Sequence, residues 1–398
     1  MRLRIVVAGS LVAAALVSAP SWLAAQRGRG GNNPFPGGTN PDGSLRPSRP
    51  VTQLFTQDAY TEYEILAPGS ESFRIRYLPE TSRAGATELV NATRGGSEGS
   101  GIEVYDPRTG DPLEFTYVAD PNDPESHAIH AQLPRPVPEG GIGRVLIYKT
   151  YKDPRTYMMN GDDIVWVRSL SGYRLGVLLP KGFAFISSNV AAQLHVTPSG
   201  QLRLAFANPS GQGNPVTIHA RPTTAAFAPS PYTDMFFDDI KTLYDLGAPE
   251  AGRFGVEQTY SDYRKGPTAT LDALGYLALD DAKVVDLDTA AELPISGRGA
   301  SATVRLAVPI TNDRQSAHLR LTGTVADGSY RRDGDAIVFT RTLHGLRNTV
   351  LLPEGYEVEA VSQSGTIGTS RGRAFVALIN LNAENAYRVT IRARRAGR

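Results

Sequence analysis

The chain has 398 residues, with 41 Lys and Arg against 40 Asp and Glu, 40 Gly, 28 Pro and no Cys. Without Cys it carries no disulfide scaffold, thiolate zinc site, iron–sulfur cluster or lipid-modified amino-terminal Cys. A formal charge of +1 provides no overall field for nucleic acid or an anionic membrane, and 41% apolar residues suffice for a buried core.

The amino terminus reads as an export signal. Arg2 and Arg4 precede an apolar run from Ile5 to Val17, and the small residues Ala19, Ala24 and Ala25 follow, which predicts a cleaved signal peptide over 1–25. The run is broken by Gly9 and Ser10 and closed by Ser18 and Pro20, so it is short for a membrane span; an uncleaved anchor is the alternative. Cleavage removes two Arg and no acid, leaving 39 basic and 40 acidic groups. A periplasmic or secreted protein without a transmembrane span is expected. Residues 26–57 are rich in Gly, Pro and Asn and predict a disordered linker.

The remainder reads as two copies, 58–222 and 239–398, joined by a connector over 223–238. Aligning Tyr157–Gly182 with Tyr330–Gly355 at an offset of 173 gives 14 identities in 26 positions; about two are expected from average composition. Upstream, an offset of 180 or 181 matches Ala67-Pro68 with Ala248-Pro249, Phe73 with Phe254 and Asp106 with Asp286. Each copy is long enough to own a core.

Strand signals dominate both copies. Phe73, Ile75 and Tyr77 alternate with Arg74 and Arg76, and the segments Arg144–Tyr151 and Asp163–Ser169 are rich in Val, Ile, Tyr and Trp. Turn pairs such as Asn160-Gly161, Asp333-Gly334, Ser171-Gly172 and His344-Gly345 separate them. The predicted class is all-β: two tandem homologous antiparallel β-sandwich domains with a short helix or ordered linker between them. The helix is expected over Asp234–Leu246, where Met235, Phe236, Ile240, Leu243 and Tyr244 carry helical spacing, with Phe55–Leu66 as its counterpart.

Residues present in both copies are first candidates for structural roles, because both copies must fold while only one need act. Arg168 and Arg341 share strand parity with Ile164/Ile337 and Trp166/Phe339, so they point inward; Asp162 and Asp335 are their expected ion-pair partners. Trp166 is expected in the core. Among residues of one copy, Tyr148, Lys149, Tyr151, Lys152, Arg155 and Tyr157 interleave aromatics with cations, although Tyr157 recurs as Tyr330. Stacking plus cationic contact suits a polysaccharide or anionic polymer on an exposed surface; a Lys-protected strand edge explains the pattern equally well. The tail Arg388, Arg392, Arg394, Arg395 and Arg398 suits either phosphate contact or a strand with a solvated Arg face.

Catalytic and metal signals are weak. Gly95-Gly96-Ser97-Glu98-Gly99 fits Gly-x-Ser-x-Gly but lacks the strand–turn–helix context of a nucleophile elbow. His127 and His130 have no third ligand at helical spacing. Asp120, Asn122, Asp123 and Glu125 form an oxygen-rich loop that suits calcium, with a plain acidic turn as the alternative. No cofactor is expected.

The segments GlyAspAspIleValTrpValArgSerLeu and ValLeuLeuProLysGlyPhe, with their second-copy partners through ValLeuLeuProGluGlyTyr, resemble uncharacterised exported proteins of Gram-negative environmental bacteria. That resemblance implies a β-rich periplasmic or secreted protein and no particular activity. The strand–turn pattern alone is similar to the amino-terminal β domains of zinc aminopeptidases, without their catalytic helical domain. The expected function is non-catalytic binding of a cell-envelope or extracellular polymer or protein. The alternatives are a hydrolase built on Ser97, Glu98, His127 and His130, and a self-assembling structural protein.

Overall fold

A computed structural model describes residues 60–398 apart from 94, 121–122, 171–173, 208–213, 231–238, 263–266, 273–276, 298–300, 381–385 and 397–398. The expected signal, the linker and residues 231–238 of the connector lie outside the described residues. Residues 49–398 belong to one compact unit. The fold is all-β; Pro249–Ala251 forms a single helical turn, and among the described residues no helix is long and apolar enough to cross a membrane.

The strands form where apolar side chains recur every second residue. In Asp163–Leu170 every second residue is buried, which turns Ile164, Trp166, Arg168 and Leu170 inward. Its hairpin partner Tyr157–Asn160 is joined through Gly161-Asp162, with Asn160 opposite Asp163. Gly161 has φ +62° and its counterpart Gly334 has φ +63°, the left-handed backbone that glycine adopts without a Cβ clash at the first position of a two-residue turn.

Two large sheets carry the architecture. One runs, edge to edge, Gln193–Val196, Leu202–Ala207, Arg174–Leu178, Tyr60–Ile65, Ser72–Leu78, Leu146–Lys152 and Glu98–Tyr105. The other runs Thr366–Ser370, Arg373–Ile379, Arg347–Leu351, Asp239–Leu246, Phe254–Asp262, Ala317–Val325, Asp280–Asp286 and Ala291–Glu292. In each, one parallel pair, Tyr60–Ile65 with Arg174–Leu178 or Asp239–Leu246 with Arg347–Leu351, sits among antiparallel neighbours. Each large sheet shares a core with a four-stranded sheet. Tyr63, Phe73, Tyr151, Leu175 and Leu204 of the first meet Trp166, Phe183 and Ile218 of Tyr157–Asn160, Asp163–Leu170, Asn214–Pro222 and Phe183–Ser188. Tyr244, Phe254, Val350 and Val376 likewise meet Phe339, Tyr356 and Ile391. A further small sheet, Glu88–Ala92, Asp123–Gln132 and Phe115–Asp120, packs Leu89 and Ile129 against Val104 and Ile147.

The helix expected over Asp234–Leu246 is corrected. Asp239–Leu246 is a strand, paired on both sides, and Thr242, Tyr244 and Leu246 are buried along one face. Ile240 and Tyr244 fit periods of two and of four alike, so short apolar spacing alone does not separate the two structures. The counterpart strand begins at Tyr60.

The two halves meet through a buried polar junction. Arg144 grips both oxygens of Asp288 at 2.7 Å and bonds Ser316 Oγ and O at 2.6 Å. Burial opposes the charge of Asp288, yet the Arg144 guanidinium outweighs it and holds the carboxyl below its ordinary range. Around this pair, Arg108 bonds Asp286 at 3.2 Å, Ile142 N donates to Leu287 O at 2.8 Å, and Leu346 packs with Tyr60, Leu78 and Leu146.

Candidate functional site

The residues expected to form an exposed Tyr/Lys surface near 148–157 do not share one. Leu146–Lys152 lies between Ser72–Leu78 and Glu98–Tyr105, so it is no sheet edge, and its alternation buries Lys149 and Tyr151. Lys149 donates to Asn91 Oδ1 at 2.5 Å and lies 4.9 Å from the Tyr151 ring centre. On the opposite face Tyr148 accepts from Arg76 Nε at 3.3 Å, meets Tyr105 edge to face and carries the Arg74 guanidinium at 5.1 Å. Lys152 is exposed; Arg155 reaches Gly95 O at 2.6 Å. Tyr157 is a core residue whose hydroxyl donates to Ala67 O at 3.1 Å, as Tyr330 donates to Gly247 O at 2.8 Å. This repeated clasp marks Tyr157 as structural.

The ion pairs expected between Asp162 and Arg168, and between Asp335 and Arg341, are absent. Asp162 and Asp335 occupy exposed turn tips, where strand parity no longer applies. Arg168 points inward and stacks on Tyr63, Phe73 and Tyr151 at 5.2–5.6 Å. The strand residues Asp163 and Asp333 take the outward arginines Arg221 and Arg392 instead.

Ser97 is buried and donates to Asp153 Oδ2 at 2.9 Å, so its partner is a carboxylate and not an imidazole. His127 stacks on Tyr117, His130 bonds Glu88 Oε1 at 3.1 Å, and Glu98 is exposed. These groups form no nucleophile–base pair. The side chains of Asp120, Asn122, Asp123 and Glu125 lie outside the described residues; backbone pairing joins Asp120 to Asp123 across a hairpin. Among the described residues no cluster of three His, Asp or Glu is arranged to hold a metal.

An open groove of about 540 Å³ in the second half brings together Asp327, Ser329, Arg331, Thr340, Arg341, Thr342, His344 and Arg388. The hairpin Tyr330–Asp333 and Ala336–Leu343 supplies Arg331 and Arg341, and the neighbouring strand Tyr387–Arg395 sets Arg388 directly opposite Thr342. Arg341 is held in place: its Nη1 pairs with Asp327, its Nη2 donates to Leu277 O at 3.2 Å, and the guanidinium lies 5.5 Å from the Phe254 ring. Burial opposes the charge of Asp327, but hydrogen bonds from Ser329 and then Arg341 hold its carboxyl below the ordinary range. Burial, followed by the Arg341 charge, lowers His344 and favours its neutral imidazole.

Arg331 and Arg388 are exposed and make no side-chain hydrogen bond or ion pair with another described residue. Three guanidiniums thus face one carboxylate, with the Ser329, Thr340 and Thr342 hydroxyls between them. Such a set binds anionic oxygen: guanidinium offers paired donors, and the hydroxyls accept or donate. Arg388 and Arg341 were legible as charged residues and His344 only as part of a turn pair, while Arg331 carried no motif. The signal of Arg331 and His344 lay in the alignment, where they stand opposite Met158 and Ser171, and Arg388 opposite Pro215. No protein-family model matches the chain, and no curated protein matches it.

Proposed function

We propose that the chain is a non-catalytic, exported binding protein that takes an anionic glycan of the cell envelope or its surroundings into the groove of its second half. The observation that carries this reading is the pair of unpartnered guanidiniums, Arg331 and Arg388, beside the anchored Arg341. Exposed guanidiniums that hold no hydrogen-bonded carboxylate meet a polyanion without first breaking such a pair. The hydroxyl lining suits sugar hydroxyls, and the volume falls in the range of small-ligand sites, roughly 300–1,000 Å³. We further read the chain as a tandem duplication of two β-sandwiches. The matched order of strands in the two large sheets and the repeated Tyr157/Tyr330 clasp support that origin. Export follows from the charged, apolar and small-residue order of residues 1–25.

Calorimetric titration with polygalacturonate and with neutral dextran tests the binding reading. Saturable binding of the polyanion alone is expected, weakened at least tenfold in Arg331→Ala/Arg388→Ala; two lost charge-assisted contacts at ~1 kcal/mol or more each account for that change. Equal binding by the double variant rejects it.

A second reading, self-assembly, rests on Leu194 and Ile367, which are 50% and 55% exposed on the edge strands Gln193–Val196 and Thr366–Ser370. Exposed apolar edges pair with other chains. Light scattering that stays monomeric as concentration rises rejects it.

A further inference from the structure

Beneath the first large sheet, cations are buried without a counter-charge. Ile147 belongs to the apolar cluster of Leu89 and Ile129, and Tyr151 to that of Phe73 and Trp166. Lys149, between them on the same face of Leu146–Lys152, therefore lies at the seam of two cores. It is 4% exposed, Arg168 is 9% exposed, and both lie within 6 Å of the Tyr151 ring centre, at 4.9 and 5.6 Å. Neither has an ion-pair partner among the described residues.

The donors at this seam outnumber the acceptors. Lys149 has three N–H groups and one acceptor, Asn91 Oδ1. Arg168 Nη1 is buried with no partner, and Thr93 Oγ1, two residues along from Asn91, is buried beside the Tyr151 hydroxyl. Glycine at 99, opposite Tyr151, lets the Tyr117 hydroxyl approach; a Cβ there would lie 2.6 Å from that oxygen. Tyr117 and Tyr151 thus bring further hydroxyls toward the seam. Arg168 cannot shed its proton, and ring faces satisfy its charge only in part. Buried charges are as a rule paired, and buried donors hydrogen-bonded, so the seam offers unmet donors to one acceptor-rich, negatively charged occupant.

We propose that Lys149 and Thr93, in the field of Arg168, form an internal receptor for one small anion of halide or formate size. Two apolar clusters wall the seam, so a polymer is excluded and the site is distinct from the groove of the second half. It belongs to the first half only: Lys149 pairs with Ile75 as Gly323 pairs with Val256 in the second sheet, and glycine there offers no cation.

Thermal unfolding of the intact chain, at constant ionic strength with gluconate exchanged for bromide or formate, tests the assignment. The melting temperature is expected to rise saturably with the small anion, to do so equally in Arg331→Ala/Arg388→Ala, and to lose the saturable part in Lys149→Met. Thr93→Val, which preserves shape, is expected to shift the half-saturating concentration upward. If Lys149→Met does not fold, anomalous diffraction from bromide-soaked crystals of the unaltered chain decides. A bromide peak between Lys149 and Thr93 supports the receptor. A seam without such a peak, or a melting response that is absent in the unaltered chain or retained in Lys149→Met, overturns it.

Discussion

Lys149 couples the interior to pH. Burial, and then the neighbouring Arg168 charge, lowers its ammonium from 10.5 to about 7. A base depressed on folding binds fewer protons in the native than in the unfolded chain between those values. In gluconate buffer, stability should therefore rise with pH from about 7 toward 10, by up to ~1.4 kcal/mol per unit. Above pH 10 the sign reverses, because burial pushes the Tyr77 and Tyr151 phenols up to about 12, and stability they supply below 10 is lost as the unfolded chain ionises. Urea unfolding from pH 6.5 to 9.5 checks the rise, which Lys149→Met should flatten. An unchanged slope in that variant contradicts the assignment. At the same scale, the inward direction of Arg168 and the burial of Trp166 were legible from strand parity. The partner of Arg168 was not, because Asp162 belongs to the turn and rings, which carry no charge signal, take the guanidinium.

At the scale of elements, the turns were the most legible feature. Asn160-Gly161 and Asp333-Gly334 stand where left-handed backbone is required, and both open two-residue loops. Gly161→Ala and Gly334→Ala should each cost about 1–2 kcal/mol, read as a lower midpoint in urea without a change of slope. Neutral substitutions would contradict the turn geometry. In the strand Asp239–Leu246, Ile240, Tyr244 and Leu246 fit a period of two while Ile240, Leu243 and Tyr244 fit a helix; only its two neighbours, one of them more than 100 residues distant, decide. The groove was illegible for a related reason. Arg331, Arg341, His344 and Arg388 are scattered in sequence and converge only through cross-strand register.

Across the whole molecule, the halves are joined by charge as well as by apolar contact. Breaking a buried ion pair strands its partner, so Asp288→Asn should destabilise by about 3–5 kcal/mol, while Arg144→Met/Asp288→Leu should recover much of the loss. Calorimetric unfolding checks both, and a single variant as stable as the double contradicts the junction's role. Because the Asp288 carboxyl is held below its ordinary range, this stabilisation is present above the unfolded value and fades as pH falls through the folded one. A junction of this kind holds the second half, and with it the cationic groove, on a fixed frame. On the proposed function, binding resides in the groove residues that the two halves do not share, Arg331, His344 and Arg388. A hydrogen-exchange footprint of oligogalacturonate on the intact chain tests it most directly. Slowed exchange confined to residues 327–344 and 386–390 is expected; protection centred on 148–157, or none anywhere, would rule the groove out.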